Sequence, residues 1–255
     1  MTEDDTGEGS RRPLRLLLSV FLLGMLASAL VLLWPAWPEG LGSNVDSLGG
    51  RPECVVETSQ GEVELNRDEA QLAATAAALL ARGAEAPGSS GINEAVLQRL
   101  ADGPDEDAGP GLTCQGSAAS GLPEEQVTAT GLTPRAERLR EEMSEVFGEQ
   151  SLGGFAPGGV SHGHGAESTH YYGRAIDVFF RPVSEENRRE GWMLANWLVA
   201  HATELEIQYV IFDDRFWSAH SSQGQWQHYD APEPENEILR HLDHVHVDVL
   251  PGRSN

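Results

Sequence analysis

Lysine is missing from the 255 residues, so all 17 basic side chains are arginine, and against 40 Asp and Glu they leave a formal net charge of −23. A chain of that sign cannot neutralise phosphates and release their counterions, which excludes coating DNA or RNA and makes anionic lipid head groups poor partners. Cysteine is nearly absent. Cys54 and Cys114 stand alone with no CxxC spacing, which argues against a redox or metal-binding pair and predicts one disulfide on an exported chain. Histidine is lacking before residue 160, yet His162, His164, His170, His201, His220, His228, His241, His244 and His246 follow. That segregation confines the chemistry to the C-terminal half. With 28 Gly and 14 Pro the chain is too loop-rich for one compact bundle, and one or two modest domains fit its length.

One long uncharged run is present. Leu16 to Trp34 would span about 28 Å as a helix, close to the thickness of a hydrocarbon core. Arg11, Arg12 and Arg15 precede it and Trp34 and Trp37 follow, which predicts a single-pass anchor in the cell membrane with a cytoplasmic N-terminus and an extracytoplasmic body. Ala27-Ser28-Ala29 leaves a cleaved signal peptide as the rival.

Beyond it, Cys54-Val55-Val56 and Val63-Glu64-Leu65 read as short strands around a Gln60-Gly61 turn. Asn66 with Glu69 reads as a capping box opening a helix that Gly83 stops. A shorter helix is expected over Asn93 to Ala101, and a Gly-, Pro- and acid-rich stretch around Cys114 reads as interdomain linker. Thr133-Pro134 opens another helix, closed by Gly148, and Ser184 to Thr203 is amphipathic. Arg174–Phe180, Ile207–Phe212 and His244–Leu250 are β-branched and aromatic runs expected as strands. The expected fold class is α+β: a small antiparallel sheet with packed helices in a C-terminal domain, preceded by a transmembrane helix and a small disulfide-bearing α+β domain. The boundaries are 1–15 for the tail, 16–34 for the anchor, 35–50 for a spacer, 51–116 for the disulfide domain, 117–125 for a linker and 126–251 for the last domain.

On an extended run His244 and His246 share one strand face, opposite Val245, Val247 and Val249. Asp177 lies on a strand otherwise suited to burial, where a carboxylate wants a cation or several donors. Small Gly173 and Ala175 allow His170 to curl back to the same point. Two imidazoles and one carboxylate from His170, Asp177 and His246 suit Zn²⁺ with its fourth position left to water, an arrangement for catalysis rather than structure.

The pattern Ser168-x-His170-x-x-Gly173-x-Ala175-x-Asp177, followed downstream by His244-x-His246, resembles the D-alanyl-D-alanine carboxypeptidase, murein endopeptidase and hedgehog-type zinc superfamily, especially its actinobacterial secreted branch. The likeness covers about Gln126 to Leu250. It implies a zinc peptidase hydrolysing amide bonds, with peptidoglycan peptide as substrate, zinc on His170, Asp177 and His246, and Ser168 supporting the first ligand. Carboxypeptidase-type members place a general base, usually Glu, three residues before the last ligand, where this chain has Asp243; the base here is either His244, favoured because it shares the ligand's strand face, or Asp243. Relatives carry an upstream Arg in a GGYRPGG-like turn where this chain has Ala156. Either Arg174 or Arg215 replaces it, or the domain is a catalytically inactive, zinc-stabilised module that binds cell wall or a protein. His162 and His164, in a Gly-rich loop, read as solvated. Tyr171 and Tyr172 are candidate substrate contacts, and Trp217 and Trp226 either line a groove or pack under a loop.

Overall fold

The capping residues place the helices. In the computed structural model, which describes residues 51–102, 110–221 and 223–253, Asn66 accepts from the Glu69 backbone while the Glu69 side chain accepts from the Asn66 backbone, opening α1 (Arg67–Ala81). Helix α2 (Glu94–Asp102) follows. Thr133 caps α3 (Pro134–Phe147), with Pro at its first position, and Ser184 caps α4 (Glu185–Ala200).

Among the described residues nine strands make two antiparallel sheets. The smaller sheet has the order β2-β1-β3, from β1 (Cys54–Thr58), β2 (Gly61–Leu65) and β3 (Leu112–Cys114). Cys54 faces Cys114 across β1 and β3, and the two form the disulfide. The larger sheet has the order β4-β5-β9-β6-β7-β8, from β4 (Leu152–Gly153), β5 (Ala175–Phe179), β6 (Ile207–Phe212), β7 (Arg215–Ser218), β8 (Gln227–His228) and β9 (His244–Val249). Val245, Val247 and Val249 of β9 join a core with Trp192, Leu194, Trp197 and Leu198 of α4. The intervening His244, His246 and Asp248 therefore lie on the sheet's opposite face.

The α+β class with antiparallel sheets and a disulfide is present, but the expected fold class needs two corrections. Among the described residues no helix is long and apolar enough to cross a membrane. The longest, α4, carries Glu185, Glu186, Arg188, Arg189 and Glu190 over its first turns. The expected span Leu16–Trp34, with the tail and spacer beside it, lies outside the described residues. Secondly, the disulfide-bearing segment is not a separate module, because all the described residues belong to one unit with one core.

The physical reason is the chemistry of α1, whose buried residues are all alanine. A single methyl each is too little apolar area for an independent core. The helix borrows the tryptophans of α4 instead: Trp197 Nε1 donates to Thr75 Oγ1 at 3.1 Å. Strand β3, in the stretch expected as linker, is tied in the same way. Trp217 Nε1 donates to the Cys114 carbonyl at 3.1 Å and Trp226 Nε1 to the Leu112 carbonyl at 3.0 Å. Trp217 is buried under neighbouring chain, while the half-buried Trp226 also lines a groove with Arg51, Val55 and Gln225; neither lines the histidine-rich cleft.

Candidate metal centre

Strand register assembles the site. Asp177 on β5 lies directly opposite His246 on β9, and Ile211 on β6 flanks His246 from the other side. His170 arrives from outside the sheet, on a 3₁₀ turn over Thr169–Tyr172. Ser168 Oγ accepts from the His170 backbone N–H, and Gly173 ends the turn at φ 65°, so the chain reverses immediately into β5. Ser168 thus supports the backbone of His170 rather than its ring.

The donor atoms converge. His246 Nδ1 is 3.0 Å from Asp177 Oδ1, His170 Nε2 is 3.2 Å from the same oxygen, and the two nitrogens are 3.2 Å apart. Ligand–metal bonds of 2.0–2.1 Å in a tetrahedron give an edge of about 3.3 Å, so this triangle fits one face of a small divalent ion's coordination shell. His164, His170 and Asp177 also form a group able to hold a metal, with ligand atoms all within 4.8 Å of one another. We place the tighter triangle at the centre of the site, because its separations match a coordination edge, with His164 beside it.

Burial sharpens the electrostatics. His170, Asp177 and His246 are all buried. Burial opposes charge on Asp177, but hydrogen bonds and attraction from His170 and His246 outweigh it and hold the carboxyl far below its usual range. Burial pushes the His246 imidazole down, against the pull of Asp177, which favours its neutral form. Gly154 completes the cradle. At φ 80°, an added Cβ there would sit 2.2 Å from His170 Cε1 and 3.0 Å from Asp177 Oδ2.

Asp243 and His244 stand next to this cluster. His244 Nδ1 is 2.7 Å from Asp243 Oδ1, while its Nε2 lies 3.8 Å from Asp177 Oδ1. Arg181 Nε donates to the second oxygen of Asp243 at 2.6 Å, and its guanidinium lies 4.0 Å over the Phe179 ring. Both oxygens of Asp243 are thereby engaged. The chain enters β9 at His244, so Asp243 sits just before the strand.

A cleft of about 460 Å³ opens over these groups, with Arg181 and Phe179 on one side and Tyr229, Pro232, Ile238 and Leu239 among its walls. His241 also lines it and is buried; burial first, then His246 and His244, push its imidazole down to about 3.

The expected stand-ins for the missing upstream Arg do not reach this cleft. Arg174 donates to the Val249 carbonyl at 2.7 Å and to Gln208, and lies 3.7 Å from the fully buried Asp248. Arg215 pairs with His228 on β8. Among the described residues the one arginine lining the cleft is Arg181, which belongs to no sequence motif. Tyr172 is exposed and lines a separate groove with Arg174. Tyr171 grips the histidine loop instead, its hydroxyl accepting from the His164 N–H at 3.1 Å and donating to the His164 carbonyl at 2.6 Å. His162 is exposed and does not line the cleft. His164 and His241, expected as part of a solvated loop or merely counted among the nine, both face the site.

Comparison with known proteins adds one likeness. A family model described as the C-terminal domain of VldE matches residues 128–237, less than half of the chain. That stretch includes His164, His170 and Asp177 but stops short of Asp243, His244 and His246. No curated protein and no solved structure matches the chain.

Proposed function

We propose that this protein is an exported, zinc-dependent peptidase of the carboxypeptidase and murein endopeptidase type, hydrolysing amide bonds in peptidoglycan peptides. The observation that carries the reading is the 3.0–3.2 Å triangle of His170, Asp177 and His246 on the floor of an open cleft, beside an Asp–His pair. The disulfide supports an oxidising compartment outside the cytoplasm.

His170, Asp177 and His246 would hold the ion. Zinc bound there supplies Lewis acidity, polarising the scissile carbonyl and lowering the pKa of water. The chain's own residues handle the proton. With its Nδ1–H given to Asp243, His244 presents the unprotonated Nε2 to the cleft, where it accepts a proton from the attacking water. The C–O bond forms, the C–N bond breaks, and His244 passes the proton to the leaving amine. Asp243, fixed by Arg181, holds the imidazole in that tautomer and stabilises it when charged. This assigns the base to His244 and makes Asp243 a positioning residue.

Ala156 favours a second reading, a zinc-stabilised module that binds wall peptide without cutting it, since it leaves the relatives' Arg position empty of charge. Incubating the zinc-loaded protein with crosslinked and uncrosslinked muropeptides separates the two. Products gaining one water, with His244→Ala reducing kcat by about 10²–10⁴-fold while zinc is retained, are expected. Zinc-loaded protein that binds muropeptides and leaves them intact contradicts catalysis and selects the binding module.

A further inference from the structure

We infer that His164 is a fourth, exchangeable protein ligand, so that the metal site is closed at rest and opens when the glycine-rich loop carrying His164 lifts. The inference rests on the metal-site reading above and is independent of hydrolysis.

Three observations place His164 there. Its ring stacks on His170, with centroids 4.0 Å apart and planes inclined by 27°. Its ligand nitrogen lies within 4.8 Å of the ligand atoms of His170 and Asp177, at most about 1.5 Å more than a tetrahedral edge of about 3.3 Å; that group does not extend to His246, so the loop closes further over the ion for all four donors to share it. Its backbone is held on both sides by one phenol, Tyr171, from the turn that carries the first ligand. A solvated loop histidine needs none of these. The two hydrogen bonds from Tyr171 fix the loop over the cleft at the cost of ordering a glycine-rich segment, an unfavourable entropy that a metal bond offsets.

The loop is also built to move. Gly158, Gly159 and Gly163 all have positive φ, and Cβ atoms built at these positions and at Gly165 would meet nothing within 4 Å. Residues 161–167 are all exposed, so the segment is held over the cleft through His164 and its contacts with His170 and Tyr171, and releasing these lets it swing away. The other three donors sit on β5, β9 and the 3₁₀ turn, which cannot move in that way. The arrangement separates three fixed ligands from one mobile one. Substrate entering the cleft has to replace the imidazole of His164, leaving an open position only while peptide is bound.

The test uses the full-length protein, loaded with zinc, and compares wild type with His164→Ala, Tyr171→Phe and His162→Ala. X-ray absorption counts the imidazoles on the ion, and competition with a chelator gives the affinity. In His164→Ala the imidazole count falls by one and zinc binds about tenfold or more weakly, the lower end of what loss of an outer-sphere partner already costs. Tyr171→Phe, which keeps the ring but loses the clamp, falls between wild type and His164→Ala. His162→Ala, altered in the same loop at an exposed position, matches wild type. Equal imidazole count and affinity in wild type and His164→Ala overturn the inference and leave the three-ligand site standing. A wild-type protein that takes up no zinc overturns the metal-site reading itself.

Discussion

At the scale of single residues, the site depends on one position where no side chain is possible. Gly154 has φ 80° and faces His170 and Asp177 so closely that any Cβ collides with the imidazole. Gly154→Ala is expected to lose zinc and to destabilise the fold by about 1–3 kcal/mol, the usual cost of overpacking; metal analysis with urea unfolding checks it, and full zinc content in the variant would contradict the packing argument. His170, Asp177, His244 and His246 were legible in sequence because strand alternation and the spacing around Gly173 place them without knowledge of the tertiary fold. Arg181 and His241 were not. Neither belongs to a local pattern, and each reaches the cleft only because its neighbour in space, Asp243 or His244, comes from elsewhere in the chain or from a loop turn whose direction sequence does not encode. His164 was visible as a residue, but its partner Tyr171 acts through backbone hydrogen bonds, which leave no trace in side-chain spacing.

At the scale of elements, helix ends were read closely because caps are local chemistry. The Asn66, Thr133 and Ser184 caps and the terminating glycines at 83 and 148 all act where the sequence put them. Strand β3 reads as linker in sequence, since three residues preceded by proline and glycine show no alternation long enough to detect. The helix–helix contact between α1 and α4 holds one half-buried histidine in a polar group of a different kind. Thr75 Oγ1 accepts from Trp197 and lies 3.1 Å from His201 Nε2, while His201 Nδ1 lies 3.5 Å from Glu204. Burial lowers the His201 imidazole, against the pull of Glu204. A histidine kept neutral in the fold takes up its proton more readily when unfolded, so its stabilisation is present above about pH 6.5 and is lost as the pH falls below that value. In scanning calorimetry, the fall in melting temperature between about pH 7 and 5 should therefore be shallower for His201→Gln than for wild type. Identical slopes would mean that folding leaves the proton affinity of His201 unchanged, contradicting this reading.

At the scale of the whole molecule, an acidic chain with an alanine-lined first helix holds together by sharing its tryptophans across the boundary where sequence suggested two domains. Hydropathy and glycine content mark a linker near Cys114, but they do not reveal that indole N–H groups from the far half satisfy carbonyls on that very strand. The disulfide then acts on the entire unit. With a sequence separation of 60, its removal in Cys54→Ser/Cys114→Ser should cost about 4 kcal/mol in the chain-entropy model. Calorimetry of the variant should show one transition moved to lower temperature. Loss of a separate early transition, with the main one unchanged, would restore the two-domain picture.

A shared ion on His170, Asp177 and His246 is what the proposed chemistry requires. Elemental analysis of the protein equilibrated with zinc and then freed of excess should find one ion per chain in wild type, and none in His170→Ala, Asp177→Ala or His246→Ala variants that remain folded by circular dichroism. Wild type without bound zinc, or all three variants retaining it, would contradict the claim that these side chains meet at a metal.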